Sequence, residues 1–316
     1  RTWLAAKGDA RAEFVALQTR RHRGDATLTA ADAAREEALL KKHGAQWLGA
    51  LAPVVRNPRF ARGYLVECQL YPRGTKTGPA VGDPRWATVE TLHFTTQKNW
   101  GRDVALHPVL LGLKHMKDAP TELAELLLND PTPRALESIA CTYGILPRAL
   151  PATLEAPGLP RLREFTIDCW LFDPAVSKYS TTWHAPEVFA AFLQSPMAAR
   201  LETLHWGIHD SFVDDLHGTL IKHAPPGFKA RVNAYYLTFL RGEHGRWDDV
   251  TLRIDSHADE LKYQNSRLRT ARRLTADRVA RLTVEVAPGV DLAPLAKELD
   301  ALRAHFARAE VRVVGL

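Results

Sequence analysis

A chain of 316 residues is long enough for one elongated domain or two ordinary ones. Its 46% hydrophobic and 25% charged content is that of a soluble globular protein, and no apolar run approaches the roughly 18 residues that a membrane-spanning helix needs. The formal net charge of +6 permits an acidic partner but is modest for this length, and solubility alone accounts for it. Arg1 to Gly8 lack the apolar core of a signal peptide, and with no initiator Met the chain reads as starting inside a longer one. Cys68, Cys141 and Cys169 are far apart, and the first two occupy apolar pattern positions. That points to a reduced, cytoplasmic interior rather than to a disulfide or a metal site.

In chain order, Asp9 after Gly8 predicts an N-cap, with Glu13 in the next turn. Phe14 and Leu17, with Trp3 and Leu4, supply an apolar stripe. Arg20, Arg21, His22 and Arg23 crowd the helix end, where the dipole favours cations. Thr29 and Asp32 have capping-box spacing and open a second predicted helix through Lys42, closed by Gly44. Trp47, Leu48 and Leu51 come next, and Pro53 ends the module. A helical hairpin of residues 1–52 cannot bury its own apolar face, so it should dock on residues 53–316.

The run Trp3-Leu4, Gly8-Asp9 and Arg11-Ala12-Glu13-Phe14-Val15-Ala16-Leu17-Gln18, with His43-Gly44 and Trp47-Leu48, resembles the bacterial repeat-companion domain. The family motif has Tyr-Ala-Asp before the Trp-Leu and an acidic pair after it, where this chain has Arg1-Thr2 and Ala5-Ala6. The module lies before leucine-rich-type repeats in many bacterial proteins and carries no known catalytic residues. The resemblance therefore implies a repeat-bearing scaffold.

Beyond residue 52 one pattern recurs: apolar, two free positions, apolar, one free, apolar. It fits Leu65, Cys68, Leu70; Val89, Leu92, Phe94; Leu136, Ile139, Cys141; Leu162, Phe165, Ile167; Leu201, Leu204, Trp206; Trp247, Val250, Leu252; and Val279, Leu282, Val284. Each copy has the alternation of a strand with one buried face. A weaker copy at Leu110, Leu113 and His115 would divide the longest gap. Helices are predicted at Thr121 to Leu128, Ala185 to Leu193 and Leu292 to Phe306, an extra strand at Tyr235 to Leu240, and a closing strand at Val311 to Val314. The fold class read from this is α/β: an irregular leucine-rich-repeat-like solenoid with a helical N-terminal cap.

The three apolar positions should face inward and the residues between them outward. This puts His93, Thr166, Asp168, His205, Thr251, Arg253 and Thr283 on a common polar face, the predicted partner-binding surface. Glu298 is placed among the solvent-facing residues of the helical side. Two other sets compete. Arg267, Arg269, Arg272 and Arg273 could contact nucleic-acid phosphates, though no base-reading motif accompanies them. His205, His209, Asp210, Asp214, Asp215 and His217 are the densest potential ligands, as a metal-dependent hydrolase would need. His205 and His209 are nevertheless about 13 Å apart along a strand. No phosphate loop, nucleophile elbow or triad spacing occurs. The reading is a non-enzymatic scaffold that binds another protein, with no cofactor and no metal. Nucleic-acid binding and His/Asp hydrolysis are its alternatives.

Overall fold

Among the described residues, twelve strands form a single sheet in chain order. The computed structural model describes residues 2–71, 81–95, 100–143, 155–168, 186–207, 219–220, 223–224, 231–234, 237–241, 247–254, 261–274 and 276–315. The strands are β1 (Val55–Ala61), β2 (Tyr64–Leu70), β3 (Thr91–Phe94), β4 (His115–Pro120), β5 (Ser138–Tyr143), β6 (Glu164–Asp168), β7 (Thr203–Gly207), β8 (Arg231–Ala234), β9 (Leu237–Arg241), β10 (Trp247–Ile254), β11 (Val279–Val286) and β12 (Glu310–Gly315). A β1–β2 hairpin opens the sheet. From β2 to β8 the neighbours are parallel, β9 runs antiparallel to both β8 and β10, and β10 to β12 are parallel again. The fold is mixed α/β with a mostly parallel sheet.

The alternation in the sequence explains this arrangement. Every described side chain at the pattern's apolar positions is buried, none of them more than 4% exposed. The middle positions align across the strands: Cys68 with Leu92, Leu92 with Met116, Met116 with Ile139, Ile139 with Phe165, and Phe165 with Leu204. A one-residue slip would turn that whole row to the other face, so burial locks the register. Cys68 and Cys141 are buried members of this core, and burial pushes the Cys68 thiol up to about 12. Cys169 lies outside the described residues.

The weak copy proves to be a strand in a different phase. Leu113 and Met116 take the first two inward positions, so that Leu65, Val89, Leu113 and Leu136 recur about every two dozen residues. Leu110 instead sits in a short 3-10 turn. His115 pairs with Thr91 and Ser138 and stands among the outward residues. Between inward positions the chain turns a repeated corner. The amides of Lys114 and His115 donate to the Glu90 carbonyl, those of Glu137 and Ser138 to Lys114, those of Arg163 and Glu164 to Glu137, and those of Glu202 and Thr203 to Arg163. These corner residues alternate in charge, and Lys114–Glu90 (3.1 Å) and Arg163–Glu202 (3.6 Å) form ion pairs.

The helices are α1 (Thr2–Ala6), α2 (Arg11–His22), α3 (Ala30–Leu48), α4 (Trp100–Leu106), α5 (Thr121–Asn129), α6 (Pro186–Leu193), α7 (Pro196–Arg200), α8 (Leu261–Ala271) and α9 (Ala296–His305). The Thr29/Asp32 capping box is formed, with reciprocal bonds of 3.2 and 2.9 Å. Gly44 does not close that helix. It is buried inside α3, and its missing side chain leaves room for Leu40, whose Cδ1 would lie 3.3 Å from an added Cβ. The stop falls at Gly49, at φ +53. Asp9 caps α2 by accepting from the Arg11 amide at 2.8 Å, although the last residue before the helix is Ala10. Pro120, not Thr121, precedes α5. The predicted C-terminal helix divides into a 3-10 turn (Ala293–Leu295) and α9.

The helical module docks on the hairpin. Phe14 packs on Trp47 (4.8 Å between ring centroids) and Phe60 (6.2 Å), and Trp47 packs on Phe60 (5.9 Å). Gln18 spans the joint, donating to the Phe60 carbonyl at 2.7 Å and accepting from the Gly63 amide at 3.1 Å. Trp3, expected in the apolar stripe, is 64% exposed.

Gly158 ties two consecutive corners together. An added Cβ would sit 2.1 Å from the Asp130 carbonyl oxygen, and the Gly158 carbonyl accepts from the Arg134 amide at 2.9 Å. Gly158→Ala should therefore cost at least about 1–3 kcal/mol, because the blocking atom is backbone and cannot rotate away. A denaturation midpoint unchanged from that of the parent would contradict this close approach.

Candidate functional site

Between the apolar positions, the outward residues form a row across the sheet. At one end, Gln69, His93 and Lys117 are partners on β2, β3 and β4. Further along, Ala140, Thr166, His205, Asn233, Thr238, Thr251, Thr283 and Arg312 are partners from β5 to β12. Five of the residues singled out from the sequence thus lie on this row: His93, Thr166, His205, Thr251 and Thr283. Arg253 is exposed one outward position further along β10, where it pairs with Glu285. Asp168 ends β6 opposite Gly207.

The two parts of the row meet at a bulge. Met116 faces Ile139 and Ala119 faces Cys141, so Lys117 and Asp118 together stand opposite Ala140. Asp118 takes up the extra residue at φ 56, a conformation that Asp tolerates better than most residues. Its carboxylate lies 3.7 Å from His93 Nδ1, while Nε2 of the same ring is 3.0 Å from Glu67 Oε1. Arg59 Nε donates to the other Glu67 oxygen at 2.7 Å, and Asn57 donates to Gln69 at 2.9 Å. On the adjacent row His115 Nδ1 is 2.9 Å from Ser138 Oγ. Four strands thus converge on a polar cluster that spacing alone did not reveal. Glu67 and Gln69, on the same face as His93, were the available signal.

The hydrogen bond from His93 lowers the Glu67 pKa below the ordinary 4.5; partial burial opposes this and Arg59 reinforces it. A folded value below the unfolded one means that these links stabilise the protein at neutral pH and are lost as the pH falls below 4.5. In a carbon-detected carboxyl titration, His93→Phe should move the Glu67 midpoint upward. A midpoint that does not move would show that the contact is not populated.

The far end of the face carries a second network. Arg281 bridges Asp249 at 2.8 Å and Glu310 at 3.1 Å, and Glu310 also accepts from Arg312. The basic stretch is differently disposed. Arg269 and Arg272 pair with Glu298 at 2.9 and 3.3 Å, and the Arg267 guanidinium reaches the Arg253 carbonyl at 3.4 Å. Arg273 is exposed. Arg269 and Arg272, both proposed for phosphate contact, are thus engaged by a carboxylate. Glu298 itself is largely covered rather than solvent-facing, because α8 and α9 pack together and bring these arginines onto it.

His209, Asp210, Asp214, Asp215 and His217 lie outside the described residues. Among the described residues no group of three or more His, Cys, Asp or Glu is placed to hold a metal ion. Among them, too, no helix is long and apolar enough to cross a membrane. No family model, no curated protein and no solved structure matches the chain.

Proposed function

We propose that the chain is a leucine-rich-repeat-like solenoid whose helical N-terminal module acts as a cap, and that it works as a non-enzymatic, cytoplasmic scaffold binding another protein through its outward strand face. The observation that carries this reading is the register row from Ala140 to Arg312, in which polar residues are register partners on adjacent strands from β6 to β12. Strands about 4.8 Å apart make such a row a continuous surface. Its Thr, His and Arg side chains suit directional, polar recognition better than bulk apolar association. The repeated corners support the solenoid reading, because each unit buries its inner face on its neighbours.

Lys117 and Arg253 are exposed on this face near opposite ends, and Lys297 is exposed on the helical side. Partners captured from a lysate of the source organism should be lost with Lys117→Glu/Arg253→Glu and retained with Lys297→Glu, with unfolding midpoints unchanged in both. The opposite pattern would put the binding surface on the helices.

A further inference from the structure

Two carboxylates flank the His93 ring on β3. Glu67 of β2 lies 3.0 Å from Nε2, and Asp118 of β4 lies 3.7 Å from Nδ1. A neutral imidazole has one N–H to donate. The Glu67 contact takes it, because that carboxylate is within hydrogen-bonding reach and Asp118 is not. The lone pair on Nδ1 then faces the Asp118 carboxylate, and the two repel. A protonated ring donates from both nitrogens, and the same 3.7 Å contact becomes attractive. Asp118 is also the residue that takes up the β4 bulge, at a φ of 56 that its type tolerates but does not prefer.

From this geometry we propose that His93 is a proton-operated latch: the protonated ring clamps Asp118 and holds the β4 bulge in place, and loss of the proton releases it. The other charged groups around the ring leave this contact as the variable one. Glu67 stays ionised into acid, its carboxyl held below the ordinary 4.5 first by the bond from His93 itself. On β1, Arg59 is engaged by the other Glu67 oxygen at 2.7 Å, and Arg56 lies over the Tyr71 ring. Lys117, the register partner of His93 on β4, opposes a positive ring, but its side chain is exposed to water and screened. His115 on the adjacent row bonds Ser138. The stabilisation from the clamp is therefore present while the ring is protonated and is lost as the pH rises through the imidazole titration. At the acid end it is lost only when the carboxylates take up protons. Because Lys117 stands in the same bulge, the latch also sets where this cation is presented on the face, a consequence that rests on the binding role proposed above.

Proton–nitrogen spectra and amide exchange of the full chain between about pH 5 and 8, the interval in which histidine ordinarily titrates, test the latch without any partner. The Lys117, Asp118 and Ala119 amides should shift along the same curve as the His93 ring. Their protection, corrected for the intrinsic exchange rate, should be about threefold higher with the ring protonated, the scale of a partly exposed ion pair. Asp118→Asn removes the charge that the ring clamps, and His93→Gln keeps a donor for Glu67 but cannot take up a proton. Asp118→Gly keeps the bulge, since glycine adopts a positive φ freely, and removes the carboxylate. In all three variants the Lys117 and Ala119 amides should lose most of their pH dependence, with circular dichroism unchanged. A ring that keeps one protonation state across the interval would overturn the proposal, as would β4 amides that ignore its titration. So would a pH dependence left whole by Asp118→Asn.

Discussion

Phe14→Ala should lower the stability of the chain by about 3–5 kcal/mol, the usual cost of removing a fully packed aromatic ring. Phe14 is 1% exposed and touches both Trp47 of the helical hairpin and Phe60 of β1, so truncation opens a cavity at the joint between the module and the sheet. The hairpin has no other interior: Leu17, Leu39, Trp47, Leu48 and Leu51 join the same continuous core as the strands. Denaturant unfolding followed by tryptophan fluorescence should show the loss as a shifted midpoint. A fragment of residues 1–52 should be largely unfolded, since the face it would bury belongs to β1 and β2. Cooperative folding of that fragment, or a loss under about 1 kcal/mol for Phe14→Ala, would mean that the module is independent.

A comparable loss, about 3–5 kcal/mol, is expected for Arg134→Met, which keeps an unbranched apolar stem and removes the guanidinium and its charge. Arg134 is 6% exposed. Its guanidinium donates to the Ala105 and Leu106 carbonyls, each at 3.0 Å, and to Asp130 at 2.8 Å. Ala105 and Leu106 end α4, where carbonyls have no partner within the helix. The arginine thus closes one unit's helix from the next unit's corner. Burial opposes the charge on Asp130, but bonds from Arg134 and Thr132 outweigh it and hold the carboxyl below its ordinary range. Removing the arginine leaves two carbonyls unpartnered and a partly buried carboxylate without its cation, held only by Thr132. Arg134→Met/Asp130→Asn should recover part of the loss, because an unpaired charge costs more than an absent pair. Equal losses in the single and double variants would deny the ion pair its role.

Much of the architecture is written locally. A strand with one buried face needs period-two alternation, and copies from Leu65 to Val284 have it. The inward residues, the row of outward partners and the closing strand at β12 were therefore legible without coordinates. Thr29 and Asp32 were legible as a cap for the same reason, since both partners lie within one turn. The alternating corner charges at Glu90, Lys114, Glu137, Arg163 and Glu202 were equally available, one residue after each first apolar position, but could be aligned only once the Leu113 copy was in phase.

What the tertiary structure alone decided rests on contacts made across distance. Gly44 looks like a helix stop until Leu40 packs over it and Trp47 is drawn into the core beside Phe60, which carries α3 past it. Asp118 reads as an ordinary strand residue, and only the need to bring Ala119 opposite Cys141 makes it bulge toward His93. Glu298 looks solvent-facing until α8 lays Arg269 and Arg272 on it. The reversal at β9 likewise depends on which strand lies alongside. Periodicity specifies which side of each element is buried, because that follows from the spacing of apolar groups along the chain. It carries no information about which distant group fills the space on that side, and that choice placed the Glu67–His93–Asp118 cluster.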